Sequence, residues 1–308
     1  MKTKSAKKKK ALHYLPYYLM AVPGILYLLI NNYVPMGGLI VAFKTYSAKR
    51  GILGSKWAGF SNFEYLFKTK AAWIITRNTI LYNIAFIILG TVMAVIVAIF
   101  LSEIRSKTAS RVYQSVILLP FLISWVIISY LVYAFLSADS GFLNNTVLAA
   151  LGMEPVMWYS EPIYWPFILI LVSLWQGTGY TSIIYYASVI GIDRGYYEAA
   201  EIEGAGPWKK IRYITLPLLR PTIITMMLLS VGRIFYSDFG LFYQIPMNSG
   251  AILKATNVID TYVYRGLMQQ ANIGMSAAAG LYQSVVGFVC VLVANGIVRK
   301  IDKDSAFM

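Results

Sequence analysis

Residues 79–101 read TILYNIAFIILGTVMAVIVAIFL and hold no charged side chain. A run of roughly 20 such residues crosses a hydrocarbon layer about 30 Å thick as a helix. Comparable apolar runs cover residues 15–43, 113–136, 163–190, 218–240 and 275–298. The whole chain is 58% hydrophobic and 13% charged, about half the charged share of a soluble domain. These features predict an all-α integral membrane protein of about six transmembrane helices, in which the bundle of spans is itself the domain. The first run contains Pro16, Pro23 and Pro35, which a span tolerates where neighbours satisfy the freed carbonyls.

The charges between the runs orient them. The chain begins MKTKSAKKKK and closes RKIDKDSAFM, and the connections 102–112 and 191–217 also carry Lys or Arg. The connection 137–162 holds Asp139, Glu154 and Glu161 and no cation. Because cytoplasmic connections collect Lys and Arg, both termini are expected in the cytoplasm, as a basic tail over 1–14 and a second tail over 299–308. The stretch 44–78 opposes this pattern, with Lys44, Lys49, Arg50, Lys56, Lys68, Lys70 and Arg77 on what must be the outer side. Each Lys of such a tail gains about 1 kcal/mol near anionic headgroups, so membrane lipid is its expected partner and nucleic acid is not. No small-residue cleavage site follows the first apolar run, which therefore reads as an uncleaved span.

Several chemistries are excluded. One Cys (Cys290) and one His (His13) cannot make an internal disulfide or a Cys/His metal site. The phosphate-binding pattern G-x-x-x-x-G-K-[ST] is absent, and GILGSK at 51–56 fails it. No catalytic residue, metal site or cofactor is expected within the chain.

The connection 191–217 interrupts two apolar runs with EAAEIEGAGPWKKIRYITLP. Asp193 is placed to cap a helix reading RGYYEAAEIE. Gly204 breaks that helix, since glycine takes the left-handed turn after a helix end. Pro207 suits the first position of a second helix, PWKKIRYIT, with Trp208, Ile211 and Thr215 on one side, and Pro217 introduces the fifth span. Tyr196, Ala199, Ala200 and Ile202 give the first helix a small or apolar face of the kind that enters a partner's groove, ringed by charges that set register. Composition alone leaves a second reading open, a solvated loop that does nothing but obey the charge rule.

Glu198-Ala199-Ala200, three residues, Gly204, nine residues and Ile214-x-Leu216-Pro217 reproduce the full EAA motif, and the chain thereby resembles the permease subunits of binding-protein-dependent ABC importers. The resemblance implies that this cytoplasmic helix-turn-helix is a coupling loop docking on an ATPase, with Glu198, Ala199, Ala200, Gly204, Ile214, Leu216 and Pro217 as its motif positions. Residues 15–298 would then be the permease domain. It also implies a second permease subunit as heterodimer partner, two ATPase subunits that bind the ATP and Mg²⁺, an extracellular solute-binding protein, and residence in a bacterial cytoplasmic membrane. The stretches VAFKTYSAKRGILGSKWAGFSNFEYLF and GRIFYSDFGLFYQIPMNSGAILKATNVIDTYVYRGL further resemble the polysaccharide or lipopolysaccharide-precursor branch, related to maltose-type permeases, which implies an oligosaccharide substrate.

Polar groups inside spans are costly and usually face a cavity or another helix. Asn83, Trp175, Gln176, Tyr180, Arg233, Tyr236 and Asp238, with Tyr243 and Gln244 just beyond, are therefore candidates for a substrate path. Aromatic faces suit the C–H surfaces of sugars, and amide, carboxylate or guanidinium groups suit their hydroxyls. Packing is the competing reading: Arg233 and Asp238 can pair with each other, the aromatics can be interface anchors, and Gly177 and Gly179 can bring helices close. An ion-gradient-driven transporter, and an ABC permease for a non-sugar solute, are the alternatives to a glycan importer. A membrane-embedded enzyme has no clustered carboxylates or intramembrane His to support it.

Overall fold

The computed structural model describes residues 2–301. Met1 and the part of the expected C-terminal tail from 302 onward lie outside the described residues, as do the side chains of residues 2–13, His13 included. Among the described residues five helical stretches are long and apolar enough to cross a membrane: Tyr14–Phe43, Lys70–Ser102, Pro162–Ile190, Pro207–Val231 and Ile273–Gly296. Counting the helix pair Lys107–Leu122 and Trp125–Leu136, bent by 92°, as one span brings the number to six.

Helix α1 (Lys2–Leu28) runs from the basic tail directly into the first span. Its large apolar side chains, from Tyr14 through Leu28, are exposed. A short hairpin follows, β1 (Lys44–Thr45) antiparallel to β2 (Lys56–Trp57), then α2 (Ser61–Lys68). The 44–78 stretch is thus folded structure and not the polar loop expected. Lys44 is buried and donates to the carbonyls of Ile52 and Leu53 at 2.9 and 3.0 Å. One cation of the discordant set is therefore a loop staple and not a free surface charge.

The second span starts nine residues earlier than expected, as α3 (Lys70–Ser102). It packs along α6 (Trp165–Ile190), and α4 (Lys107–Leu122) packs on the same helix. The third span is not continuous. Its helix ends at Leu122, and α5 (Trp125–Leu136) leaves at 92°. Pro120 sits in the last turn of α4, Ile123 and Ser124 are extended, and the Ser124 hydroxyl accepts from Ile127 N to start a new helix. An N-cap serine in mid-run competes with helix continuation.

The fifth span also departs from expectation at both ends. The two-helix insert has its first helix, α7 (Arg194–Ile202), but the second merges with the span as one helical run, α8 (Pro207–Val231). The turn Ile211–Thr215 is widened, with Leu216 N–H reaching back to Ile211 O, and so Pro217, which lacks an N–H, is accommodated without a break. At the far end the helix stops at Val231, and residues 232–238 are irregular before helical turns resume at Phe239, where a continuous span to 240 was expected. Helix α9 (Ile259–Met268) and the last span, α10 (Ile273–Ile301), complete the chain. One apolar core joins α3, α5 and α6 with the 241–258 connection around Trp165 and Phe242. A second core joins α2, α3, α9 and α10 around Ile75 and Phe235.

Candidate functional site

The EAA segment is a rigid corner. Asp193 Oδ1 accepts from Gly195 N at 2.9 Å and starts α7. At the other end Gly204 has φ +75°, Gly204 N donates to Glu201 O at 3.0 Å, and Ala205 N to Ala200 O at 2.8 Å. These two bonds close a Schellman cap, which needs a residue in the left-handed region. Two side-chain links then fix α7 against α8: Tyr197 OH to Thr215 Oγ1 at 3.0 Å and Lys210 Nζ to Glu201 Oε1 at 2.6 Å. The Lys210 hydrogen bond and charge hold the Glu201 carboxyl below the usual carboxylate range.

The outer face of this corner is uncovered. Tyr196, Glu198 and Ala199 are exposed, and Ile202 and Trp208 are 88% and 73% exposed. Thr215 is buried and Ile211 half-buried, so the one-sided set expected for PWKKIRYIT splits, with only Trp208 outward. Of the motif's last positions, Leu216 and Pro217 are exposed and Ile214 is half-buried on the helix that carries the connection upward.

The candidate path residues gather around the two places where spans break. Tyr180 stacks on Phe121, ring centroids 4.5 Å apart and planes 11° apart, and Gln176 Nε2 lies 3.5 Å from the Phe121 carbonyl. Both contacts are to the last turn of α4, beside the bend. Trp175 is adjacent on α6 and 43% exposed. Across the bend, Trp125 Nε1 donates to Asp238 Oδ2 at 3.0 Å, while Asp238 Oδ1 accepts from Leu241 N at 3.1 Å. A Cβ on Gly240 would overlap the Trp125 ring. The bend of the third span and the break of the fifth are therefore in direct contact. Tyr243 stacks on Phe239 at 4.9 Å and meets Tyr264 edge-on at 5.0 Å, Tyr236 is partly exposed, and Gln244 is half-buried on the same turn.

Asn83 has a different role from the others. Its amide donates to Thr79 O at 2.9 Å and to Ile234 O at 3.0 Å, so both hydrogens are taken by backbone. It satisfies a carbonyl freed by the break, which a break beside the hydrocarbon requires. Gln283 does the same for Phe235 O at 2.6 Å, and Asp260 Oδ2 accepts from Ser237 N at 2.8 Å. Arg233 is exposed and does not pair with Asp238: among the described residues the ion pairs are Glu64–Lys68 and Glu201–Lys210. Gly179 is a packing glycine, since a Cβ there would overlap the Ile117 carbonyl, whereas Gly177 has open space around it.

Three contributors, Trp125, Asp260 and Gln283, were absent from the sequence candidates. Gln283 carries the same signal as Asn83, an amide within an apolar run. Trp125 and Asp260 carry none, because their roles arise from the bend and from a connection folding back.

Comparison with known proteins agrees with this architecture. Residues 87–303 match the family described as "Binding-protein-dependent transport system inner membrane component". The chain is 32% identical over 290 residues to Protein LplB of Bacillus subtilis (strain 168), covering 94% of this chain and 90% of that one. It is 30% identical over 295 residues to the polygalacturonan/rhamnogalacturonan transport system permease protein YteP of the same organism, covering 94% and 89%. A crystal structure of a bacterial ABC transporter involved in import of the acidic polysaccharide alginate superposes on it with a TM-score of 0.87 at 32% identity, covering 96% of this chain and 99% of that chain. This chain is a multi-pass membrane permease and belongs to the family of binding-protein-dependent transport system inner membrane components.

Proposed function

We propose that the chain is the permease subunit through which an oligosaccharide or polysaccharide-derived glycan enters a bacterial cell across its cytoplasmic membrane. In this reading both termini are cytoplasmic and residues 15–298 form the permease domain. A second permease completes the path as a heterodimer partner, an extracellular solute-binding protein delivers the substrate, and two ATPase subunits hold ATP and Mg²⁺. The relatives named for polygalacturonan, rhamnogalacturonan and alginate transport support the glycan class.

The observation that carries the coupling role is the continuity from α7 to the broken end of the fifth span. A pull on the exposed α7 face passes through Glu201–Lys210 and Tyr197–Thr215 into α8, which is unbroken from Pro207 to Val231. The motion arrives at residues 232–238, and through Asp238 at Trp125 and the bend of the third span. Tyr180, Trp175 and Gln176 stand at that bend, and Arg233, Tyr236, Tyr243 and Gln244 on or just past the break. These offer stacking surfaces and hydrogen-bonding groups to a sugar that passes when the two breaks move.

The test is uptake of labelled oligogalacturonate or a related glycan by cells carrying Glu198→Lys or Gly204→Val. Both variants are expected in the membrane at parental amount with uptake lost, since the first reverses charge on the exposed face and the second strains a left-handed residue. Parental uptake in both would overturn the docking role.

A further inference from the structure

A second set of features lies at the opposite end of the bundle from the coupling corner. A cavity of about 630 Å³ opens between residues 77–82 of α3, the start of α6 with the turn before it, and the connection before α9. Two cations line it, Arg77 and Lys254, with Glu161 as the one acidic lining residue. Among the described residues neither cation has a carboxylate partner within ion-pair distance. Below them the walls are apolar, with Leu81, Ile163 and Ile170.

The site is built and not incidental. Asn78, 5% exposed, donates its amide to the carbonyls of Lys254, Ala255 and Asn257 at 3.2, 3.3 and 2.9 Å. The Arg77 guanidinium is held on Asn78 Oδ1 at 2.9 Å. Tyr82 adds a bond to the Ala255 carbonyl at 2.9 Å. The connection bearing Lys254 is thereby fixed to α3, and the two cations share one rim.

Depth selects the occupant. Arg77 precedes Ser102 by 102 − 77 = 25 residues, which at 1.5 Å each is about 37 Å of helix. Ser102 borders the cavity beneath the coupling corner, so Arg77 stands beyond a hydrocarbon layer of about 30 Å, at headgroup level of the other leaflet. Leu81 lies one turn deeper, and the exposed stripe continues through Ile84 and Ile88. From the turn before α6 into that helix an exposed stripe runs through Ile163, Phe167 and Leu171. A cationic rim above two apolar stripes matches an anionic phosphate above acyl chains.

We propose that this groove binds an anionic phospholipid, its phosphate on Arg77 and Lys254 and its chains against Leu81 and Ile170. A glycan would find two cations but few hydrogen-bonding partners on the wall below, and a partner protein would have to cover the rim with acidic side chains.

The experiment is retention of phosphatidylglycerol by the assembled transporter, purified through this chain, washed in detergent and weighed by native mass spectrometry. Phosphatidylglycerol should be retained at least about fivefold over phosphatidylcholine. Lys254→Gln should cut that preference by about threefold, and Arg77→Gln with Lys254→Gln should abolish it. Because Arg77 also holds Asn78, Lys254→Gln is the decisive variant, as its ammonium makes no bond among the described residues. A photo-crosslinker at Leu81 should label lipid. Equal retention of the two lipids, an unchanged preference in Lys254→Gln, displacement of the lipid by oligogalacturonate, or a crosslink from residue 81 to a protein subunit would each overturn the proposal.

Discussion

Gln283 faces Asp260 with its amide nitrogen 3.1 Å from each carboxylate oxygen, joining the last span to the first turn of α9. The same amide reaches Phe235 O, and the same carboxylate accepts from Ser237 N. Two side chains thus satisfy the backbone of an irregular segment that would otherwise present unpaired groups beside the hydrocarbon.

Asp260→Leu should therefore destabilise the chain by roughly 1–3 kcal/mol, because it leaves Ser237 N–H and the Gln283 amide without partners. Asp260→Asn keeps an acceptor oxygen and should cost less. Burial pushes the Asp260 carboxyl above its ordinary value, against the hydrogen bonds from Ser237 and Gln283. The folded state then holds this proton to higher pH than the unfolded chain does, so the contribution is fully present below the ordinary aspartate pKa. It declines as pH rises through the raised value. Thermal melts of the purified complex across that range should show the decline in the parent and its loss in Asp260→Asn.

Gly177 and Gly179 give a paired test of what a glycine does in α6. At Gly179 an added methyl meets the Ile117 backbone, which cannot move aside, so Gly179→Ala should separate α4 from α6 at a cost of about 1–3 kcal/mol. At Gly177 nothing lies within reach, and Gly177→Ala should be neutral or stabilise by up to about 1 kcal/mol through helix propensity. Melting temperatures of the two variants in detergent check the ordering, and the same loss in both would contradict it.

The residues most legible in the sequence are those whose role is local. The Asp193 cap and the Gly204 turn depend on neighbours within a few positions, and α7 starts and ends where those two residues put it; the apolar runs place the spans but not their ends. The two breaks were less legible because they are tertiary outcomes. Ser124 can cap a helix in any sequence, and the contact that meets the bend, Asp238 with Trp125, joins residues 113 positions apart. Residues 232–238 follow an apolar run without a helix-breaking proline, and they unwind where Asn83, Asp260 and Gln283, distant in sequence, take their backbone groups. Pro217 misled in the opposite sense: a widened turn lets a helix run through a proline that reads as a boundary.

The link between Glu201 and Lys210 permits a test of transmission apart from docking. Glu201 is exposed and Lys210 carries only a fifth of its side chain to solvent, so the pair contributes little to folding in water. Its proposed importance is mechanical, tying α7 to α8 on either side of the Gly204 turn. Glu201→Lys and Lys210→Glu should each leave the chain in the membrane and lower uptake several-fold, with ATP hydrolysis less reduced than uptake. The double exchange restores an ion pair of opposite sense and should recover most of the transport. A role in contacting the ATPase alone predicts the reverse, because reversing both charges would leave each facing the wrong partner surface. Uptake and ATP hydrolysis measured together in proteoliposomes, for the two single variants and the exchange, therefore decide between a strut within this subunit and a contact made outside it.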